Sequence, residues 1–158
     1  MSQVEDRIKE LGFTLPEVAA PVAAYVPAVK SGQYVYTSGQ LPFVDGQLPA
    51  QGKVSASGQE GFVSPEEAQK LAALSLLNAL AAVKSVIGDL DRITQVVKVV
   101  GFVASEPTFT GQPGVINGAS LLLGDIFGQA GVHARSAVGV PVLPLDSPVE
   151  VEIIVEHV

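Results

Sequence analysis

Hydrophobic and polar positions recur along the chain with two periods, and the segments where each period holds define its elements. Residues 149–157 carry the plainest pattern. Val149, Val151, Ile153 and Val155 fall on one side of a strand, Glu150, Glu152 and Glu156 on the other. Ser136–Val142 alternates in the same way, and the sequence LPLDSP turns the chain between the two. Ile93–Ala104 is rich in Val and reads as one long strand, or as two joined by a bulge near Gly101. Tyr34–Ser38 alternates as well, after the hairpin chemistry of Lys30-Ser31-Gly32-Gln33 and an edge strand around Tyr25–Lys30.

The helical period governs three other segments. Val4–Gly12 forms a short helix with Val4, Ile8 and Leu11 on one face and Gly12 as its stop. Ser64-Pro65-Glu66-Glu67 supplies an N-cap, a proline at the first helical position and a capping-box glutamate. It predicts a helix from Pro65 to Ile87, ended by Gly88. Val115–Phe127 is the third, carrying Asn117, Ser120 and Asp125 and ended by Gly128. Pro16, Pro21 and Pro27 forbid a regular helix after the first one. Residues 41–63 form a loop, mobile in part, since Leu41–Phe62 contains six glycines or prolines. The order β-β-α-β(β)-α-β-β predicts an α+β fold, a sheet with two helices on one face. Residues 1–158 make one domain, with 1–21 as an N-terminal extension.

Composition narrows the function classes. The net charge is −7, and the nine Lys and Arg residues are scattered singly, so nucleic acid is not an expected partner. There is no cysteine and there are two histidines, which removes disulfides, thiol chemistry and the familiar zinc patterns; no metal and no cofactor are expected. The polar N-terminal segment has no signal-peptide core. The apolar stretch Leu71–Val83 is interrupted and short, so a cytoplasmic protein with no membrane association is expected. Hydrophobic residues at 47% against 16% charged suggest additional burial in an oligomer.

Arg135 is the sole charged residue between Asp125 and Asp146, at the entrance to an apolar strand. A guanidinium there either reaches water, pairs with a protein carboxylate, or forms a two-pronged clamp on a ligand's carboxylate. Glu150 and Glu152 are explained by a solvated strand face, or one of them serves as a general base. Ser38-Gly39-Gln40 is a tight turn, or a place where a ligand approaches the main chain. Tyr25 and Asn117 are packing or lining residues, and His133 reads as a loop residue.

The segments AAYVPAVKSGQYVYTSGQLP and HARSAVGVPVLPLDSPVEVEIIV, in this order and spacing, resemble the RidA family, also called YjgF or L-PSP. The opening IKELGFTLPEVAAPVAAYVPAV is similar to its longer branch. The resemblance implies a chorismate-mutase-like α+β fold, assembled as a homotrimer with sites in the clefts between subunits. Its deaminase members hydrolyse reactive enamines and imines, such as 2-aminoacrylate, to 2-keto acids and ammonia without a cofactor. By position, Arg135 matches the arginine that binds the substrate carboxylate. Gly39 matches the glycine beside that carboxylate, and Glu150 the glutamate that holds the attacking water. Tyr25 and Asn117 match lining positions, and main-chain groups near Ala137 would polarise the imine nitrogen. Ala137 stands where the deaminase pattern often has Cys, and Ala24 where a Gly commonly precedes the tyrosine. The resemblance leaves two alternatives to catalysis on imines: a trimer that senses small carboxylates, and the endoribonuclease or translation-inhibitor label the family carries.

Overall fold

A computed structural model describes residues 2–18, 20 and 24–158. The first hairpin joins β1 (Ala28–Ser31) to β2 (Tyr34–Thr37) through Gly32-Gln33, with Gly32 at φ 59° as a two-residue turn requires. β1 starts later than the alternation around Tyr25 suggests. Pro27 has no N–H to give to a ladder and contributes its carbonyl to the N–H of Ser38 instead, so pairing begins at Ala28. Pro21 of the proline-punctuated segment lies outside the described residues.

β3 (Ile93–Ala104) is a single strand. Its register shifts fall between Ile93 and Gln95 and between Val96 and Lys98, not at Gly101. Gly101 has a different use: a Cβ there would run into the side chain of Ile116, so its bareness lets a helix settle onto the strand. β4 (Ala134–Val140) starts and stops two residues before the alternation indicates, stopping before Pro141. β5 (Val149–His157) has the expected bounds, and its odd-numbered residues are buried. The sheet order is β1-β2-β5-β3-β4. All neighbours are antiparallel except β3 and β4, whose parallel pairing needs a crossover.

That crossover is α3 (Gln112–Phe127), which begins three residues before Val115 because Pro113 starts the first turn. The long helix α2 (Pro65–Ile87) is capped by the Ser64 hydroxyl, which accepts from the N–H of Glu67. α2 covers β1, β2 and β5, α3 covers β3 and β4, and the helices pack on each other. Both therefore lie on one face of the sheet. Leu76, Leu80, Val83, Ile116 and Leu123 meet Val96, Val99, Val151, Ile153 and Val155 in a single core. By length and hydropathy α2 could cross a membrane, but 72% of its apolar window is buried within the fold. It is a core helix.

The first helix, α1 (Gln3–Glu10), is clamped to this frame. Asp91 accepts from the Ser2 hydroxyl and from the N–H groups of Gln3 and Val4. Ile8 is fully buried, and the Arg7 guanidinium donates to the carbonyl of Asp125. Residues 41–63 are irregular yet tied down. The buried Asn78 of α2 donates to the carbonyls of Leu41 and Phe43, and Gly52 donates to the carbonyl of Asp146. The sheet's other face is left bare, with Val29, Tyr34, Tyr36 and Val138 exposed and Phe102 and Ile154 half-buried.

Candidate functional site

β2 leaves the ladder just beyond Thr37. The Thr37 hydroxyl takes over as acceptor for the N–H of Ile153, and main-chain pairing resumes only where Gln40 and Val151 exchange hydrogen bonds. Such a local irregularity re-aims the residues beside it. Gly39 sits in the gap, and a Cβ on it would overlap the carboxylate of Glu150. Gly39 therefore exists as glycine to let that carboxylate lie against the main chain.

The same two residues line a cleft of about 310 Å³ with Tyr25, Leu41, Phe43 and Leu145. Leu145 and Asp146 both hold φ 58°, a costly backbone state for residues with side chains, so the turn that walls the cleft is strained. Burial pushes the Glu150 carboxyl above its ordinary value, and the like charge of Glu152 adds to the shift. A carboxylate so placed takes a proton more readily than an exposed one, as a general base must.

Arg135 stands at the opposite edge of the sheet. It pairs with the buried Val99 across β3 and β4, which sends its side chain to the helix face. There its Nη1 donates to Asn117 Oδ1 at 2.8 Å and to Ser120 Oγ at 3.2 Å, both on α3. Among the described residues no carboxylate pairs with it. Among the described residues the strand-end ion pair is thus not formed, and none of them accepts from the Nε and Nη2 side of the fork. Ala137 is two residues along on the same side and packs against the core. A side chain at position 137 points into the helix layer, away from Glu150.

Tyr25, Gly39 and Glu150 are therefore brought together, and so are Asn117 and Arg135, but the two sets are apart. Glu150 alternates with buried Val149 and Val151, so it faces away from the helices. It is level with Phe102, three residues from Val99, and one strand lies between β4 and β5. Strand geometry puts the two Cα atoms about 14 Å apart, with side chains on opposite faces. One chain cannot close a site around both.

The model of the family described as "YjgF/chorismate_mutase-like, putative endoribonuclease" matches residues 5–157. The chain belongs to the YjgF family. Protein TCP17 of Trypanosoma cruzi is 41% identical over 98% of this chain and 94% of its own length. Protein Atu1372 of Agrobacterium tumefaciens, of unknown function, superposes with a TM-score of 0.89 at 45% identity, covering 99% of this chain and 93% of that one. TdcF of E. coli, solved with bound serine, gives 0.65 at 27% identity over 90% and 94% of the two chains. The YjgF chorismate-mutase-like fold read from the sequence is thereby shown.

Sequence reading gives no part in the site of this YjgF-family chain to Ser120, Phe43 or Leu145. Ser120 is the most legible of them, since it follows Asn117 by three on a helix and shares its face. His133 lies in a loop, as expected, and its Nε2 is 2.9 Å from the Ser120 hydroxyl. Phe43 and Leu145 come to the cleft through loops pinned by long-range hydrogen bonds, which no local pattern announces.

Proposed function

We propose that this protein hydrolyses small enamine and imine acids of the 2-aminoacrylate type to 2-keto acids and ammonia. The active form is a homotrimer in which Arg135 of one subunit faces the Gly39–Glu150 cleft of the next. The observation that carries the reading is the Arg135 fork. A half-buried guanidinium is held through Nη1 by two neutral acceptors and has no carboxylate partner among the described residues, an arrangement that suits a planar carboxylate ligand. The serine held by TdcF is likewise a small amino acid with a carboxylate. The separation of Arg135 from Glu150 within one chain, and the bare apolar sheet face, both support clefts completed by a neighbour.

The chemistry asks little of the protein. Arg135 fixes the acid so that the C=N carbon meets a water held by Glu150. Glu150 takes a proton from the water as its oxygen bonds to the C=N carbon and returns that proton to the nitrogen, giving the carbinolamine. The hydroxyl proton then passes through Glu150 to the amino nitrogen, the C–N bond breaks, and ammonia and the keto acid are released. Main-chain groups near Ala137 polarise the nitrogen, a role that Ala fills as well as Cys. The net charge of −7 and the burial of His157 weigh against cleavage of RNA, which needs basic surface and an acid–base pair.

The test is ammonia release from freshly generated 2-iminobutyrate. Acceleration over buffer that is lost in both Arg135→Ala and Glu150→Gln supports the proposal. No acceleration, with 2-oxobutyrate binding that Arg135→Ala abolishes, overturns the enzyme and leaves a carboxylate sensor.

A further inference from the structure

Arg135 does not hold its own orientation; a chain of hydrogen bonds behind it does. His133 Nδ1 lies 2.6 Å from the carbonyl oxygen of Gly131. A carbonyl only accepts, so the Nδ1 carries the hydrogen, and Nε2 is the ring nitrogen that a neutral imidazole leaves as an acceptor. That Nε2 is 2.9 Å from Ser120 Oγ, so the serine hydroxyl donates to it. With its hydrogen committed to the ring, Ser120 turns its lone pairs toward Arg135 Nη1. Asn117 Oδ1 takes the other Nη1 hydrogen. The base of this chain is packed against α3: Gly131 is buried, and a Cβ there would strike the carbonyl of Leu123.

We infer that Ser120 and His133 are positioning residues for the carboxylate clamp, acting on the ligand only through Arg135. A serine hydroxyl on its own rotates among whatever acceptors and waters are near, and its lone pairs turn with it. His133 removes that freedom by taking the hydrogen, so the guanidinium always meets an acceptor. Both Nη1 hydrogens are then consumed by the protein, and the Nε–Nη2 side is the one presented to the acid. The inference rests on the reading of Arg135 as the clamp and adds what aims it.

The experiment is calorimetric titration of 2-oxobutyrate and of the neutral 2-oxobutanamide into wild type, Ser120→Ala, His133→Ala, His133→Gln, the Ser120→Ala/His133→Ala double variant and Arg135→Ala. Thermal melts are run on each. Ser120→Ala and His133→Ala each weaken 2-oxobutyrate binding about fivefold, the worth of one lost hydrogen bond. The double variant is no weaker than the weaker single one, because the two residues act in series. His133→Gln recovers binding, since its amide carbonyl accepts the serine hydroxyl. Weak binding of the amide stays unchanged throughout. Wild-type affinity for 2-oxobutyrate in both alanine variants, alongside loss in Arg135→Ala, overturns the inference while the clamp survives. Additive losses that glutamine does not restore also overturn it, as a general packing effect. Undiminished binding in Arg135→Ala overturns the clamp itself, and the inference with it.

Discussion

If Arg135 and Glu150 act on one substrate from two chains, two dead variants must revive each other when mixed. The perturbation is a pair of proteins, Arg135→Ala and Glu150→Gln, each unable to turn over 2-iminobutyrate alone. In each parent, every cleft lacks one of the two groups. The structure sets the size of the recovery: the side chains leave opposite faces of the sheet, with Cα atoms about 14 Å apart, so no chain supplies both groups to one cleft. In randomly reassembled oligomers a cleft is intact only when the arginine comes from the Glu150 variant and the glutamate from the Arg135 variant. With equal amounts of each chain, about one cleft in four is intact, because each cleft draws two chains independently. The assay is ammonia release after co-refolding differently tagged chains, with native mass spectrometry to count mixed species. Recovery near a quarter of wild-type activity is expected. Mixed oligomers present in full yield but without activity would refute the two-chain site.

Four further outcomes follow from the same geometry. Gly39→Ala displaces the Glu150 carboxylate with little harm to the core; turnover falls about 100-fold, as for a misplaced catalytic group, while the melting temperature shifts by no more than about 4 °C. Glu150 holds its proton more tightly folded than unfolded, so its ionisation costs stability above its folded pKa, and that cost vanishes below the unfolded one. Glu150→Gln therefore raises the melting temperature at about pH 8 and leaves it unchanged near about pH 3. By the same logic Glu152→Gln removes the like charge and moves the acid limb of the kcat/KM profile to lower pH. Asn78→Ala strips the carbonyls of Leu41 and Phe43 of their donor and costs about 1–3 kcal/mol in denaturant unfolding, with looser binding in the cleft they wall.

The frame was legible where one residue pattern had one physical solution. Alternation at Val149–His157 and the cap at Ser64 gave β5 and α2 with the observed bounds, because burial on one face and a capped first turn are local properties. Gly101 leaves one long strand and a bulged pair equally open, since a strand glycine looks the same whether it bends the strand or makes room for Ile116, and the structure has the single strand. The site divided along similar lines. Arg135 stood out as a lone charge, yet its neutral partners belong to a helix 15 to 18 residues earlier. The contact between Gly39 and Glu150 spans more than a hundred residues and depends on the ladder between β2 and β5. Local sequence cannot reveal which glycine faces which carboxylate.

That contact also separates two things a cleft must do. Glu150 lies in β5, and Gly39 sits between the end of β2 and the Gln40–Val151 bridge, so their mutual distance is set by the main-chain pairing on either side. The remaining walls, Leu41, Phe43 and Leu145, come from segments held by a few hydrogen bonds from Asn78 and Gln51. Substitutions in those segments can reshape the cleft for a longer, shorter or more branched acid without disturbing the carboxylate. Under the proposed hydrolysis, the choice of acid can change while the Glu150 carboxylate stays where the sheet puts it.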